Sequence, residues 1–487
     1  MGERHLAVVV LAAGQGTRMK SSKPKVMHEL AGLPLLGHAL TTASALGASH
    51  VVPVVRHQKE HISEYIETFF PNAKIAEQDE IPGTGRAVEC GLFALPDDFE
   101  GAVVVTSGDV PLLDVATIEA MLDTHLSGGY AATILTTYLS DPTGYGRILR
   151  SNDGQFVRIV EHKDATDEQR NIDEVNAGVY VFDSKHLKNA LTKVGTANSQ
   201  GEKYLTDVAA LLLADGFKVQ AVGVQDEWLV AGINDRAQLS EVAAELNARI
   251  CRAWQLAGVT ILDPYTTWID VTVSIGEDTL ILPGAYLRGL TTIGEGASIG
   301  PEVVLTDTQV GDGANITKSH VTAAVVGKRA NVGPYAFIRP GTELGTGSKL
   351  GAFVEAKNAQ IGDGSKVPHL SYVGDATIGT NSNIGAGTIF ANYDGVTKNR
   401  SVIGSEVRTG SHNVFVAPIR IGDGAYTAAG TVVRRNIAPG DLGMNVAPQK
   451  NLADWVLSKR EGTAAAEAAI AARAAEVSTS DNAESDN

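Results

Sequence analysis

Cysteine is nearly absent from this chain of 487 residues. Its two thiols, Cys90 and Cys251, lie far apart in sequence. That excludes a disulfide framework and makes reduced core thiols the expectation. Long apolar runs are missing as well: none approaches the roughly eighteen residues of a membrane-spanning helix. There is no basic excess, since 40 Lys and Arg stand against 56 Asp and Glu, a formal net charge of −16. A nucleic-acid binder neutralises phosphates with clustered Lys and Arg, so that class is excluded. Small anionic substrates are not, because a local basic cluster can act inside an acidic protein. Glycine is the opposite case: 52 residues exceed average usage, and the excess needs a cause.

"MGERH" followed by "LAVVVLAA" has the charge-then-apolar order of a secretory leader. The run is short and passes into a glycine turn and a basic segment, as a buried first strand would. The expectation is therefore a cytoplasmic protein.

The length points to more than one domain. In residues 1–237, apolar runs at 6–14, 50–55, 102–109 and 131–139 read as buried strands, with amphipathic stretches such as 113–127 between them. This alternation predicts an α/β domain of Rossmann-like type, with a mostly parallel sheet and ligands at the carboxyl ends of its strands. Residues 236–257 carry Leu239, Val242, Ala243, Leu246, Ile250, Ala253, Trp254 and Ala257 at spacings of three and four. That is one face of a long helix, read as a linker over 238–258.

Residues 259–455 follow another rule. Val326, Val332, Ile338, Leu344 and Leu350 recur every six positions, and Ile361, Val367 and Val373, then Ile378 and Ile384, resume the rhythm. Glycine follows most of them, which accounts for the excess. A hexapeptide period predicts an all-β domain: a left-handed parallel β-helix whose aliphatic residues point inward and whose three faces close each coil. A sandwich would need period-two alternation, which is not seen. "FANYDGVTKNRS" (390–401) breaks the repeat, is polar, and supplies no inward aliphatic, so it marks a place to look for function. The tail, 456–487, predicts a frayed helix and then disorder.

The first strand runs into "LAAGQGTRMKSSKPK". Gly14 and Gly16 permit a tight turn that presents N–H groups to anionic oxygens, and Arg18 and Lys25 add positive charge. The spacing fits neither a P-loop nor a dinucleotide fingerprint. An Asp after a strand, like Asp109, is often only a helix cap, and Arg18 with Lys25 could be a solvated pair; their place beside the glycine turn favours a site.

The run resembles the sugar-nucleotidyltransferase signature. With "GTGRAV" (83–88), "SGDVPLL" (107–113), "PTGYGRI" (142–148), "IVEHKDAT" (159–166), "EVNAGVY" (174–180), "AGINDR" (231–236) and the β-helix, the chain resembles the bifunctional N-acetylglucosamine-1-phosphate uridyltransferase/glucosamine-1-phosphate acetyltransferases over about 5–455. The resemblance implies that Leu11, Ala12, Ala13, Gly14, Lys25, Gln78, Gly83, Thr84, Ser107, Gly108 and Asp109 hold UTP. It implies that Gly146, Glu161 and Asn176 bind the sugar, that Asp109 and Asn234, the latter also part of the uridyltransferase substrate site, bind Mg²⁺, and that Arg18 and Lys25 offset phosphate charge. On the β-helix it implies His369 as the base that deprotonates the attacking amine. Arg339, Lys357, Tyr372 and Asn383 would hold glucosamine-1-phosphate, and Ala386, Asn392, Tyr393, Ser411 and Ala429 acetyl-CoA, with Asn392 also orienting the amine. It further implies a homotrimer with a site built between subunits, the loop 390–401 being the candidate to reach across. Arg339 and Lys357 are eighteen residues apart, one full coil, so the two cations should stack and suit a phosphate. One departure stands out: "GMNVAPQ" (443–449) lacks the arginine that some relatives place there for the coenzyme's phosphates. Two other readings compete. The β-helix could serve oligomerisation alone, or His320, His369 and His412 could bind zinc, although their spacing is irregular.

Overall fold

The computed structural model describes residues 4–445 and 449–484. The first half forms a nine-stranded sheet. Its strands are β1 (Arg4–Ala12), β2 (Ala48–Val55), β3 (Ala76–Glu77), β4 (Ala102–Ser107), β5 (Ala132–Tyr138), β6 (Arg147–Arg150), β7 (Phe156–Val160), β8 (Glu174–Asp183) and β9 (Val219–Val224). The main path runs β9-β5-β8-β4-β1-β2-β3, and β8 alone on it lies antiparallel to its neighbours. The segment with a leader-like look is thus β1, an interior strand of the sheet.

Its apolar run is unbroken because both faces are covered. Ala7 and Val9 face one side, with Ala87 and Val88 of α3 (Thr84–Phe93), Leu187 of α5 (Ser184–Leu191) and Leu212 of α6 (Thr206–Ala214). Val8 and Val10 face the other, with Leu36 and Leu40 of α1 (Leu35–Ala45), Ile62 and Ile66 of α2 (Lys59–Phe69) and Met121 of α4 (Val115–Gly128).

The long helix α7 spans Arg236–Leu256 and is capped by the Asp235 carboxylate, which accepts from the N–H groups of Ala237 and Gln238. It belongs to two cores. Val242 packs with Leu30, Leu35, Leu112 and Ile233. Cys251, with Ile250 and Trp254, closes the open end of the β-helix core. Asn247, buried between them, donates to the Thr267 carbonyl at 2.7 Å and accepts from the Ile269 N–H at 3.1 Å. Cys90 and Cys251 are buried free thiols.

From Thr260 the chain forms short parallel strands stacked coil upon coil, the parallel β-helix that the period of six predicts. All ten aliphatic residues of the repeat named above are buried. The coil is not uniformly eighteen residues long. Phe337 lies opposite Glu355, eighteen residues on, but Glu355 opposite Tyr372, seventeen on, and Ile389 opposite Val414, twenty-five on. The long coil contains the irregular loop. One expectation is corrected there: an inward residue does exist, but it is aromatic. Phe390 is fully buried and meets Phe415 edge to face at 5.0 Å.

The tail also differs from expectation. A regular helix, α8, spans Ala464–Glu484 after a short turn of helix at Trp455–Lys459, and residues 485–487 lie outside the described residues. Its alanine-rich start has high intrinsic helix propensity, which needs no apolar stripe. Of the segment 443–449, which lacks that arginine, residues 446–448 lie outside the described residues. Among the described residues, no helix is long and apolar enough to cross a membrane.

The inward stack dictates a testable cost. Ile338→Ala, at a fully buried position, should destabilise the β-helix by about 2–5 kcal/mol, the transfer and cavity terms together. Denaturant titration followed by circular dichroism measures it; a loss below about 0.5 kcal/mol would mean the stack is not close-packed there.

Candidate functional site

A cavity of about 300 Å³ opens at the carboxyl ends of β1 and β4. Leu11, Ala12, Ala13, Gly14, Lys25, Gln78, Gly83, Thr84, Ser107 and Asp109, ten of the predicted nucleotide residues, line it. Gly16 is required for the turn: its φ is +65°, and a Cβ there would meet the Lys25 Cβ at 2.5 Å. Gly83, at φ +117°, lies against the Lys203 backbone in the same way. Gly108 sits behind the cavity wall, its N–H donating to the Leu11 carbonyl at 2.9 Å.

Asp109 is not the helix cap. Asp114 caps α4, accepting from the Thr117 N–H at 2.8 Å, which leaves the Asp109 carboxylate free to face the cavity. There it pairs with the Lys25 ammonium, and both groups are largely buried. The same ammonium donates to the Asn234 Oδ1 at 3.2 Å, and Arg18 donates to that oxygen at 2.9 Å. The two predicted metal ligands thus share one cation, Lys25 Nζ. Gln78 is held by its nitrogen: Nε2 donates to the carbonyls of Ile81 and Gly83 at 2.9 and 3.1 Å. Its oxygen is left as the acceptor.

Gly146, Glu161 and Asn176 come together beyond the cavity. A Cβ on Gly146 would lie 3.6 Å from the Glu161 carboxylate and 3.7 Å from the Asn176 Cβ. Burial pushes the Glu161 carboxyl above its ordinary pKa, against the Thr206 hydroxyl that donates to it at 3.0 Å. Asn176 donates to the Tyr180 hydroxyl at 2.7 Å.

On the β-helix the predicted residues form columns. Arg339 and Lys357 stack on neighbouring coils as expected, the Arg339 N–H donating to the Ala356 carbonyl. Arg339 is not left as a bare cation, however: its guanidinium pairs with Glu355 at 2.8 Å. Lys357 and Lys398 form no ion pair with a carboxylate among the described residues, although Asp375 faces both. Contact with the Lys398 ammonium, above all, holds the Lys357 pKa below its ordinary value, and Arg339 adds to this. Lys398 escaped sequence reasoning because it lies in the irregular loop, where the hexapeptide period gives no register.

Asn392 is buried, and its Nδ2 donates to Asp375 at 2.5 Å, with the Tyr372 hydroxyl at 3.4 Å. His369 is exposed at the end of a strand, one residue before a coil corner at Leu370. Tyr393 is exposed and donates to the Gly395 carbonyl at 2.7 Å, inside the loop.

Ala386, Ser411 and Ala429 form a separate column of small residues, linked by His412 N–H to Ala386 carbonyl and Gly430 N–H to Ser411 carbonyl bonds. Asn383 lies on another face, between Lys366 and Arg408 on the adjacent coils, so one chain does not bring it to Tyr372. The histidines of the zinc reading are scattered: His320 lies three coils before His369 and His412 two coils after it. Coils stack about 4.8 Å apart, so separations of two and three coils, roughly 10 and 14 Å, are too long for one shared zinc.

A glycine-turn cradle at the edge of an α/β sheet, followed by a hexapeptide-repeat β-helix with its own charged cluster, defines a nucleotidyltransferase fused to a β-helix domain. Residues 8–156 match the MobA-like NTP transferase domain. Over 467 residues the chain is 58% identical to the bifunctional protein GlmU of Clavibacter sepedonicus, covering 96% of this chain and 95% of that one. It is 56% identical to the proteins of the same name from Kineococcus radiotolerans, covering 95% and 94%, and Mycolicibacterium vanbaalenii, covering 95% of each. The chain belongs to the bifunctional GlmU family.

The unpaired lysines generate a prediction. Orthophosphate at ten times its dissociation constant should stabilise the β-helix by about 1.4 kcal/mol by mass action. Lys398→Met should remove most of that increment. Thermal melts with and without phosphate decide it, and an unchanged increment in the variant would dissociate Lys398 from the anion site.

Proposed function

We propose that the two clusters catalyse consecutive steps of UDP-N-acetylglucosamine synthesis, which supplies cell-wall precursors. The β-helix acetylates glucosamine-1-phosphate with acetyl-CoA; the N-terminal cavity then joins N-acetylglucosamine-1-phosphate to UMP from UTP, releasing pyrophosphate. The observation that carries this reading is the presence of two separate polar clusters, on two architectures, in a chain of this family. A β-helix used only for oligomerisation has no need of the Lys357–Lys398 pair or of a buried Asp375–Asn392 contact. UTP and acetyl-CoA are cytoplasmic metabolites, so the reading also favours that compartment.

At the first site the chemistry needs no protein nucleophile. An oxygen of the sugar phosphate attacks the α-phosphorus of UTP in line, and the bond to pyrophosphate breaks. Positioning and charge neutralisation are what the protein supplies. The free Gln78 oxygen can accept the uracil N3–H; cytosine presents an acceptor there and would be repelled. Oxygen donors such as Asp109 and Asn234, completed by phosphate and water, suit Mg²⁺, which when bound offsets phosphate charge. Lys25 then exchanges its carboxylate partner for the triphosphate, with Arg18 beside it.

At the second site the amine nitrogen attacks the thioester carbon, the C–S bond breaks, and coenzyme A leaves as thiolate. His369 takes the amine proton, Asn392 orients the amine, and Arg339, Lys357 and Lys398 hold the sugar phosphate. Ala386, Ser411 and Ala429 give the pantetheine arm a close approach.

The two activities should separate by mutation. Asp109→Ala should abolish UTP-dependent pyrophosphate release and spare acetyl transfer. His369→Ala should lower acetyl transfer by about two to four orders of magnitude, the range of a positioned general base, and spare uridylyl transfer. Coenzyme A and pyrophosphate release, followed separately, test both; a His369→Ala enzyme with normal acetyl transfer would make the histidine structural.

We also propose a homotrimer. Asn383 and the small-residue column lie across a coil corner from Tyr372, so a neighbouring copy is needed to complete one pocket. Tyr335, Phe353 and Leu370, exposed at successive corners with the first two stacked at 5.2 Å, offer an apolar edge for that neighbour. Light scattering on the full chain should give the mass of three chains; a monomer with full acetyltransferase activity would defeat the idea.

A further inference from the structure

Asp375 lies at a coil corner of the acetyltransferase face, at φ +48° and only 8% exposed. Its two oxygens have different partners. Oδ1 accepts from the Asn358 Nδ2 at 2.6 Å, and Oδ2 accepts from the Asn392 Nδ2 at 2.5 Å. Asn358 is itself anchored, its carbonyl accepting from Arg400 at 3.3 Å.

A carboxylate can only accept hydrogen bonds, whereas a carboxamide has a donating end and an accepting end. Asn392 must therefore turn its nitrogen toward Asp375, where its second N–H lies near the Tyr372 hydroxyl. Its Oδ1 has no hydrogen-bond partner among the described residues and is not sealed from solvent.

We propose that Asp375 is a positioning residue of the acetyl-transfer centre: it fixes the polarity of the Asn392 amide so that a carbonyl oxygen, never an N–H, faces the substrate amine. An attacking amine has N–H groups to donate and a lone pair that must stay free for the thioester carbon. An acceptor beside it orients the nitrogen through an N–H and leaves the lone pair available. A donor in the same place would bind the lone pair itself and oppose attack. The proposal rests on the reading that places acetyl transfer on this face.

Asp375 also faces Lys357 and Lys398, whose positive charges help to hold its carboxyl below the ordinary range against the opposing effect of burial. Removing its charge should therefore not weaken the sugar phosphate's grip. That separates a positioning role from simple damage to the fold, which would raise KM for the phosphorylated sugar.

Asp375→Asn keeps the shape but puts an amide, able to donate or accept, where only an acceptor stood, so it no longer dictates which end of Asn392 faces outward. In the full-length enzyme its kcat for acetyl transfer should fall about 10- to 100-fold, the scale of a misaligned reacting group. KM for glucosamine-1-phosphate should stay level or fall, and uridylyl transfer should not change. The swap Asp375→Asn/Asn392→Asp restores an acceptor toward the substrate, because the new amide at 375 donates to the new carboxylate at 392. Its kcat should recover at least about tenfold over the single variant. A wild-type kcat in Asp375→Asn overturns the proposal, as does a swap no better than the single variant. Asn392→Ala separates the two levels: if it retains normal acetyl transfer, the reading of this face has failed. If it loses activity while Asp375→Asn does not, only the role of Asp375 has failed.

Discussion

The second half of this protein depends on a ladder of backbone hydrogen bonds between successive coils. Strand N–H groups of one coil donate to carbonyls of the next, as Phe337 does to Val354 and Tyr372 to Thr388, and corner N–H groups such as that of Asp307 donate back to the coil before. The inward aliphatic residues hold the ladder in register, because a slip by one position would turn them outward. Register then becomes a way of building chemistry. Around the acetyltransferase face, before the long coil, a residue's neighbours across coils lie seventeen or eighteen positions away, so Arg339 meets Lys357 and Asp375 meets both Asn358 and Asn392. Coil length has little freedom while the core stays closed. The surplus residues of the coil between Ile389 and Val414 must therefore leave the triangle as a loop, and that excursion carries Lys398 back to Lys357.

What the sequence made legible follows from which constraints are periodic. The hexapeptide rhythm located the inward stack residue by residue, and the spacings in 236–257 located α7 almost to its ends. Asp109 could be read because it closes an apolar strand beside a recognisable motif. Three things in the β-helix could not be read. The inward residue of the irregular coil is Phe390, and a search for aliphatic residues passes over it. Lys398 reaches its partner through loop geometry that no local pattern records. Asp375 reads as an ordinary turn residue, and only the coil register shows that it stands between two asparagines. In the first domain, the antiparallel course of β8 is invisible to composition, since its apolar run looks the same in either direction.

The two halves meet along α7, and the meeting is a matter of shared burial. Val242 sits in a core with Leu35 and Ile233, while Cys251, about two and a half turns on, sits in the β-helix core. Asn247 lies between, and both ends of its amide are taken by the backbone of the first coil. Such a helix belongs to neither half alone, and tilting it would expose apolar surface and break two buried hydrogen bonds at once.

The two sites handle positive charge in opposite ways, and the difference has consequences for binding. In the nucleotide cavity the cations are already matched: Lys25 with Asp109 and Asn234, Arg18 with Asn234. A triphosphate arriving alone would have to take Lys25 from a partner it already holds and would leave the Asp109 carboxylate beside its own negative charge. Asp109 and Asn234 are the residues that would hold a divalent ion arriving with the nucleotide; its charge would offset that conflict and would leave Lys25 free for the phosphates. On the β-helix, by contrast, Lys357 and Lys398 repel each other; Arg339 forms an ion pair with Glu355, and the two lysines face Asp375 without forming an ion pair with it among the described residues. An anion there breaks no pairing and relieves a repulsion. The first arrangement would couple nucleotide to metal. The second draws a phosphorylated sugar on charge alone, and its pull should weaken as salt screens these partly exposed groups.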